Sequence, residues 1–414
     1  METLRGENIG VLTTDLIEWL SQFGGNENKG ISRVLYSDEW INAQNGLKEL
    51  LTQKGMDVYF DEVGNLFGRL EGSLYKYETI LTGSHVDTVV NGGRLDGQLG
   101  IIAGIIAMDF LKEKYGQPLR NIEVVSMAEE EGSRFPFTFW GSKNIVGSLT
   151  KEDMEDIKDS NGISFTEAMN KAGYNYKNKE TMIRDDLKAF IELHIEQGGV
   201  LERENIPIGI VEHIVGQQRF MIEVEGEANH AGTTPMGYRR DALYAVSKMI
   251  NEIMELAVEY GDPLVATVGK MEVVPNTTNV VPGKVIFSLD VRHTHKDIMF
   301  KFTDEIKSKI SDIAKEMDIS ININNYMNGE PVAMDPNLVK IIETQCKDNG
   351  LKYKLMHSGA GHDSQIFAQH IPTVLMFVPS HKGISHNPAE FTEVKDLVEG
   401  IKALTETLYH LAYK

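Results

Sequence analysis

Four short segments of the sequence carry histidine or acidic side chains, and each follows an apolar stretch. In chain order they contain His85, Asp87 and Asp96; Glu129, Glu130 and Glu131; Glu192, His194 and Glu196; and His386. Imidazole and carboxylate donors without a thiolate suit Zn²⁺, Mn²⁺ or Co²⁺. The donors outnumber those of one catalytic zinc, and they fit two ions about 3.5–4 Å apart that share a carboxylate. This residue set therefore predicts metal-dependent hydrolysis.

The spacing within the first segment strengthens that interpretation. Asp87 stands two residues after His85, where its carboxylate can orient the imidazole. The glycines of 91–97 allow a tight turn that brings Asp96 back toward His85. A single histidine is more often structural than a ligand, and an acidic run such as 129–131 is usually a solvated loop. Four such segments that meet at one edge of a β-sheet are harder to explain as structural histidines and solvated loops.

The apolar stretches before these segments predict the strands of an α/β sheet. These strands are 79–82, 121–127, 189–193 and 373–378, with further strands at 58–60 and 65–70. Two helices are predicted within 1–54, and a third over 97–115 has a small apolar face suited to packing on a sheet. Because ligands bind beyond the carboxyl ends of strands in open α/β sheets, we expect all four segments at one edge.

The pattern changes near residue 215. From there, apolar and polar residues alternate along the predicted strands, as they do in strands with one exposed face. The predicted elements are strand 219–225, helix 240–260, strands 264–274 and 284–292, helix 295–317 and strand 319–326. This β-α-β-β-α-β order is that of the ferredoxin-like unit. We therefore predict a discontinuous catalytic domain of residues 1–213 and 330–414, with a second domain of residues 214–329 inserted into it.

Composition limits the function further. The chain has 414 residues and a formal net charge of −20, so nucleic acid and anionic membrane are poor partners. Apolar runs stay well below the ~20 residues of a membrane helix. The single cysteine, Cys346, excludes a disulfide within the chain, and the first ten residues lack the pattern of a signal peptide. We expect a cytoplasmic protein.

The four segments together resemble the dinuclear aminoacylase and glutamate-carboxypeptidase-type metallohydrolases. Within that superfamily the chain is similar to the carbamoylase branch, and especially to the allantoate amidohydrolases. The most specific stretches are 83–97, 128–136, 192–198, 229–240 and 357–363. The resemblance covers essentially the whole chain. It implies a metallopeptidase-like catalytic domain with a mixed sheet, and an inserted domain that serves as lid and carries a homodimer contact.

The resemblance also implies roles for individual residues. Asp96 would bridge two metal ions, with His85 and His194 completing one site and Glu131 and His386 the other. Glu130 would be the general base, and Asp87 would hold His85. The positions that match substrate contacts are Gln217, His230, Asn279, Arg292, Gly359 and Ala360. His230 could also stabilise an oxyanion, and the planar fork of Arg292 suits a carboxylate.

The implied reaction is hydrolysis of the ureido C–N bond of allantoate. Ureidoglycine, ammonia and carbon dioxide would result, and the reaction would serve purine nitrogen salvage. The nearest alternative is an N-carbamoyl-L-amino-acid hydrolase, which would share the metal ions, Glu130 and Arg292. A dipeptidase or aminoacylase is a further alternative. A non-catalytic binding or scaffold protein on this fold is a remote alternative, since Glu130 and every expected ligand are present.

Overall fold

A computed structural model describes residues 6–27, 30–149, 154, 156–176 and 184–414. Residues 1–5 of the helical region predicted over 1–54 lie outside the described residues. The helices are α1 (Gly6–Ser21), α2 (Asp38–Gln53), α3 (Gln98–Tyr115), α4 (Trp140–Ile145), α5 (Phe165–Lys171), α6 (Val200–Glu204), α7 (Ala242–Tyr260), α8 (Lys296–Glu316), α9 (Pro336–Asp348), α10 (Ser364–Phe367) and α11 (Val394–Tyr413). Short 3₁₀ turns occur at Met236–Tyr238 and His381–Gly383.

The strands alternate with these helices along the chain. They are β1 (Asp57–Phe60), β2 (Leu66–Leu70), β3 (Tyr75–His85), β4 (Arg120–Met127), β5 (Leu187–Ile195), β6 (Ile208–Ile214), β7 (Gly216–Glu225), β8 (Asn229–His230), β9 (Val265–Thr267), β10 (Met271–Val274), β11 (Val280–Val281), β12 (Lys284–His293), β13 (Ser320–Gly329), β14 (Val332–Ala333), β15 (Tyr353–Ser358) and β16 (Thr373–Val378).

Contacts between residues divide the chain into two units. Unit 1 comprises Met1–Glu212, Ala333–Met356 and Ala360–Lys414. Unit 2 comprises His213–Val332 together with the short stretch His357–Gly359. Within the part of the chain that the structure describes, no helix is both long and apolar enough to cross a bilayer.

Unit 1 is built on a mixed sheet with the order β1-β2-β4-β3-β5-β16-β6-β14, and β15 also pairs with β6. The four central strands, β4, β3, β5 and β16, run parallel, while β2 and β6 join them antiparallel. The central strands are buried almost throughout, as strands covered on both faces must be. The predicted α/β class with a mixed sheet is confirmed.

Helix α3 packs directly on these parallel strands, because small residues line its contact face. A Cβ atom at Gly100 would lie 2.7 Å from the Leu193 carbonyl oxygen and 2.7 Å from Ser84 Cβ. The helix can therefore approach β3 and β5 only with glycine at this position. Its N-terminus is thereby held beside the end of β3, where the first predicted site segment begins.

Unit 2 contains a second sheet with the order β10-β12-β7-β13, all antiparallel, and β9 also pairs with β12. With α7 and α8, the chain order is that of the ferredoxin-like unit. Alternate residues of β7 and β12, among them Phe220 and Phe287, are buried against apolar side chains of the two helices, such as Phe302 of α8. The intervening residues of both strands lie on the opposite, partly exposed face.

One predicted strand, 264–274, is in fact two strands. Thr267 pairs with Asp290, whereas Met271 pairs with Phe287, so four steps along one strand oppose three along its partner. The extra residue makes a bulge, where Lys270 exchanges hydrogen bonds with Ser288. Alternation of residue types does not reveal such a register shift, so the prediction of a single strand was wrong.

Candidate metal centre and substrate-binding residues

The parallel strands of unit 1 end at one edge of the sheet, and the predicted donors lie there. His85 is the last residue of β3, and His194 is the last but one of β5. Both imidazoles are buried. Glu130 and Glu131 follow the end of β4, and His386 follows β16 in a turn with a left-handed backbone (φ 55°). The structure therefore brings together the four segments that sequence analysis selected.

Asp96 stands between two sets of donors. Its Oδ1 atom lies 3.2 Å from His194 Nε2 and 3.5 Å from His85 Nε2. Its Oδ2 atom lies 3.4 Å from His386 Nε2, which is also 3.3 Å from Glu131 Oε1. One carboxylate thus turns its two oxygens toward two different sets, the arrangement that a ligand shared between two cations requires.

The chemistry of the donors fits divalent metal ions. His85, Asp96 and His194 each offer one ligand atom, and these three atoms lie within 4.8 Å of one another. The same is true of Asp96, Glu131 and His386. The donors are imidazole nitrogens and carboxylate oxygens, which Zn²⁺ and Mn²⁺ accept. These residues could hold two metal ions that share Asp96.

The two buried histidines have fixed ring orientations. His85 Nδ1 lies 3.2 Å from Oδ1 of Asp87 and 3.1 Å from its backbone oxygen. His194 Nδ1 lies 2.9 Å from the backbone oxygen of Ile195. Since these partners are acceptors, a neutral ring would carry its proton on Nδ1 and would leave Nε2, on the side of Asp96, as the atom that binds a metal ion.

Asp87 also holds the acidic loop after β4. Its Oδ1 atom accepts the backbone N–H of Glu130 at 3.0 Å, and its Oδ2 atom accepts that of Glu131 at 3.2 Å. Sequence analysis expected Asp87 to orient His85, and the carboxylate does lie against that ring. The structure adds that the same buried side chain positions both neighbouring glutamates.

Gly97 is required by the position of the His85 ring. Its backbone has a left-handed φ of 71°, and it is the N-cap residue of α3. A Cβ atom there would lie 2.4 Å from His85 Cε1. The glycine that follows Asp96 therefore serves the geometry of the site directly.

Glu390 is a buried residue of the centre that sequence analysis missed. It accepts the backbone N–H of Leu95 at 2.7 Å and that of Asp96 at 3.1 Å. Ser385 Oγ lies 3.0 Å from Glu390 and 2.7 Å from Asp96 Oδ2. Glu390 thereby connects the Asp96 turn to the His386 turn. Its only signal in the sequence is its place four residues after His386.

Three other acidic residues near the centre have structural partners instead. Glu129 accepts the backbone N–H groups of Gly132 and Trp140. Glu192 accepts hydrogen bonds from Ser84 Oγ and from the backbone and side chain of Ser364. Glu196 caps the N-terminus of α6 through the N–H groups of Val200 and Leu201. Glu192 also forms a group of possible metal donors with His194 and His362, but Glu131 is the glutamate that shares a group with Asp96, and Glu130 lies beside it in a group with His85.

The electrostatics of the centre favour a cation. Burial raises the pKa of Glu130 well above its usual range, and burial also raises the pKa of Glu131. Burial alone would raise the pKa of Asp96, but hydrogen bonds from His194, His386 and His85 outweigh it and lower the pKa well below its usual value. Hydrogen bonds to Asp96 and Glu131 raise the pKa of His386 to about 10. Crowded carboxylates of this kind repel one another unless positive charge lies among them.

The predicted substrate-contacting residues of unit 2 form two groups. In the first, β8 pairs with β11, so that exposed His230 stands opposite Val280. The Asn279 carbonyl accepts the backbone N–H of Ala231 at 3.0 Å, which joins the two predicted residues locally. The His230 ring is held by the N–H of Gly232, which donates to its Nδ1 at 3.0 Å.

The second group gathers around Asp290, which sequence analysis did not select. Gln217 Nε2 donates to Asp290 at 2.7 Å, and Arg292 Nε donates to it at 3.0 Å. The carbonyl of Gly359 accepts from Arg292 Nη1 at 2.6 Å. Ala360, the next residue, belongs to unit 1. Strand alternation could have revealed Asp290, because it lies two residues before Arg292 on the same face of the sheet.

Comparison with known proteins agrees with this architecture. Residues 81–410 match Peptidase family M20/M25/M40. An allantoate amidohydrolase from Escherichia coli (strain K12) is 52% identical over 400 residues, covering 97% of each chain. An N-carbamoyl-L-amino-acid amidohydrolase from Pseudomonas sp. (strain NS671) is 36% identical, covering 95% of this chain and 96% of the other.

A solved structure shares the fold over the same extent. An amidase of the hydantoinase/carbamoylase family from Burkholderia multivorans superposes with a TM-score of 0.93, at 31% identity and 98% coverage of both chains. Sequence and structural similarity therefore extend over both units of the chain. The chain belongs to Peptidase family M20/M25/M40 and, within it, is similar to the allantoate amidohydrolases.

Proposed function

We propose that this chain is a dinuclear metal-dependent amidohydrolase that cleaves a terminal ureido C–N bond of allantoate. The products would be ureidoglycine, ammonia and carbon dioxide. The observation that carries the proposal is the division of Asp96 between two donor sets. The choice of allantoate is supported by the greater similarity of the chain to the allantoate amidohydrolase than to the N-carbamoyl-L-amino-acid amidohydrolase.

The proposed metal ligands are His85, Asp96, Glu131, His194 and His386. Two divalent ions, Mn²⁺ or Zn²⁺, would polarise the ureido carbonyl and lower the pKa of a water molecule toward ~7. Asp87 keeps the His85 ring and the backbone of Glu130 and Glu131 in place through one carboxylate. This support matters because small displacements of ligands and bases are costly in catalysis.

Glu130 is the proposed general base. It lies within ligand distance of His85 and Glu131, yet it does not belong to either set that shares Asp96. Its side chain can take the proton from the attacking water and deliver it to the nitrogen that leaves. Such proton transfer typically contributes ~10²–10⁴-fold to the rate.

All the proposed substrate contacts except Ala360 belong to unit 2. The Arg292 guanidinium would bind the substrate carboxylate, with Gln217, Asn279, Gly359 and Ala360 as further contacts. His230 would stabilise the oxyanion that forms when water adds to the carbonyl, since it is exposed and its ring is held by Gly232. We further propose that unit 2 acts as a lid and mediates a homodimer, and that the protein is cytoplasmic.

A substrate panel tests the proposal. Purified protein with Mn²⁺ would be assayed with allantoate, N-carbamoyl-L-amino acids and dipeptides, and ammonia and ureidoglycine would be measured. We expect allantoate to have the highest kcat/KM, and chelation to abolish turnover. A higher kcat/KM for an N-carbamoyl-L-amino acid would favour the alternative hydrolase. Absence of metal-dependent turnover throughout the panel would favour a non-catalytic protein.

A further inference from the structure

Glu390 joins two segments that are far apart in the sequence. It is buried, with a fractional exposure of 1%. Its Oε1 atom accepts the backbone N–H groups of Leu95 and Asp96, at 2.7 and 3.1 Å. Its Oε2 atom lies 3.0 Å from Oγ of Ser385, the residue before His386. One side chain therefore ties the backbone of the proposed shared ligand to the turn that presents a proposed ligand of the second ion.

The turn that presents His386 lies outside the sheet. It follows the end of β16, and the His386 side chain is 49% exposed. The backbone N–H of Glu390 donates to the Asn387 carbonyl at 3.0 Å, and that of Ala389 donates to Asn387 Oδ1 at 2.9 Å. These bonds fix the shape of the turn, whereas the bonds of the Glu390 carboxylate fix its place beside Asp96.

His85 and His194 are held by the sheet instead. They stand at the ends of the neighbouring strands β3 and β5, and their side chains are 3% and 1% exposed. Gln197 Nε2 donates to Asp96 Oδ2 at 2.7 Å, so Asp96 has a partner on this side that does not involve the turn. Loss of the Glu390 bonds would therefore leave this donor set largely in place.

Gly93 provides the space for the Glu390 carboxylate. A Cβ atom at Gly93 would lie 2.2 Å from Cδ of Glu390 and 2.6 Å from its Cβ, which is far below the separation of carbon atoms in contact. The backbone of Gly93 is not in the left-handed region. The close approach of Glu390 is therefore what requires glycine here, and a larger residue would displace the carboxylate.

We propose that Glu390 is a positioning residue that fixes the distance between Asp96 and His386 and thereby sets the affinity for the second metal ion. That ion is the one proposed to bind Asp96, Glu131 and His386. The inference rests on the proposed two-metal function and deepens it. Glu390 acts through the positions of its two oxygens, because its bonds to both segments are directional. Its negative charge would also favour a cation, and substitutions separate the two effects.

Three variants separate position from charge. Glu390→Gln removes the charge, but its amide oxygen can accept both backbone N–H groups and its NH₂ group can donate to Ser385 Oγ. Glu390→Asp keeps the charge but is shorter by one methylene group, so its carboxylate cannot reach both segments. Gly93→Ala leaves Glu390 itself unchanged and displaces its carboxylate. His386→Ala removes the ligand and identifies the binding event of the second ion.

Asp335→Ala is the matched control for the loss of backbone bonds. Asp335 Oδ1 accepts the N–H groups of Asn337 and Leu338, both at 2.9 Å, at the start of α9 in unit 1. It thus accepts as many backbone N–H groups on one oxygen as Glu390 does, and it is outside the groups of candidate metal ligands. Thermal unfolding of each variant without metal would report the loss of stability that both sites share.

The measurement is a calorimetric titration of chelator-treated protein with Mn²⁺, which needs no substrate. We expect Glu390→Asp and Gly93→Ala to bind the second ion roughly 10–100-fold more weakly, as loss of a partner that supports a metal ligand implies. Their affinity for the first ion should stay within about threefold of wild type, below that range. Glu390→Gln should stay within about threefold for both ions. Asp335→Ala should bind both as wild type does.

Two results would overturn the inference while the two-metal function stands. One is wild-type affinity for the second ion, or equal weakening of both ions, in Glu390→Asp and Gly93→Ala. The other is weak binding by Glu390→Gln with normal binding by Glu390→Asp, which would show that charge and not position matters. If wild type itself binds fewer than two ions, the proposed two-metal function fails, and the inference fails with it.

Discussion

Asp96 Oδ2 lies 3.4 Å from His386 Nε2, although the two residues are far apart in the sequence. The other oxygen of the same carboxylate faces His194 and His85. Each oxygen therefore has its own set of donors. This division leads to predictions about the number of metal ions and about the effects of changing single ligands.

The first prediction concerns metal content. Because Asp96 serves two sets, purified protein should contain two divalent ions per chain. Exhaustive chelation should remove both and abolish turnover, and added Mn²⁺ or Zn²⁺ should restore it. Elemental analysis alongside the activity assay checks this. Full activity after complete chelation, or saturation at a single ion, would contradict it.

The second prediction concerns the different roles proposed for Glu130 and Glu131. Glu130→Gln should retain both metal ions yet lose roughly 10²-fold or more in kcat, since the amide cannot accept the proton from water. Glu131→Gln is the matched variant, and it should lose metal from the His386 set. Metal content and kcat would be measured for both. Near-normal turnover of Glu130→Gln would remove it as the base.

The third prediction concerns Asp87, whose buried carboxylate accepts two backbone N–H groups. In Asp87→Asn one oxygen becomes an NH₂ group, so an N–H of Glu130 or Glu131 loses its acceptor. An unsatisfied buried group costs about 1–3 kcal/mol. We expect a lower melting temperature together with weaker metal binding, both measured on the purified variant. Unchanged metal affinity would show that the loop does not depend on Asp87.

The fourth prediction concerns Arg292. Arg292→Lys keeps the charge but loses the fork and one of the two bonds to Asp290. The KM for a carboxylate substrate should rise markedly, while metal content stays unchanged. Steady-state kinetics with allantoate and metal analysis check both points. If kcat/KM equals that of wild type, Arg292 does not bind the carboxylate.

The fifth prediction concerns Asp61, which follows β1 and is outside the groups of candidate metal ligands. Burial raises its pKa to about 6, although the N–H groups of Val63, Gly64 and Asn65 bond to it. The pKa of Asp61 in the unfolded chain is near 4. Between about pH 4 and pH 6, Asp61 is therefore protonated to a greater extent in the folded protein than in the unfolded chain. The free energy of unfolding consequently falls as the pH rises through this window. Above about pH 6, Asp61 is ionised in both states, and its destabilising effect no longer changes with pH.

Asp61→Asn removes that dependence because the amide does not titrate. The free energy of unfolding of the variant relative to wild type should therefore increase by an amount on the order of 3 kcal/mol between about pH 4 and 7. Denaturant titration at several pH values measures it. A difference that does not vary with pH would show that Asp61 ionises normally in the folded protein.

Sequence alone located the candidate donor segments because each follows an apolar stretch, and such stretches predict buried parallel strands whose ends meet. His85 and His194 were found for that reason. Glu390 was missed because its partner Leu95 is 295 residues away in the sequence, and local sequence patterns do not predict contacts between such distant residues. Asp290 was missed for another reason. It lies on the same strand face as Arg292, but a partly exposed acid beside an arginine is usually only a surface ion pair.

The position of β16 in the sheet has a consequence for biosynthesis. This strand lies between β5 and β6, yet the ribosome makes it after the whole of His213–Val332. The nascent chain therefore carries His85, Asp96 and His194 long before it carries His386. The first donor set can form early in translation, whereas the second must wait until β16 is inserted. Under the proposed two-metal function, loading of the second ion would consequently be one of the last events in the maturation of the polypeptide.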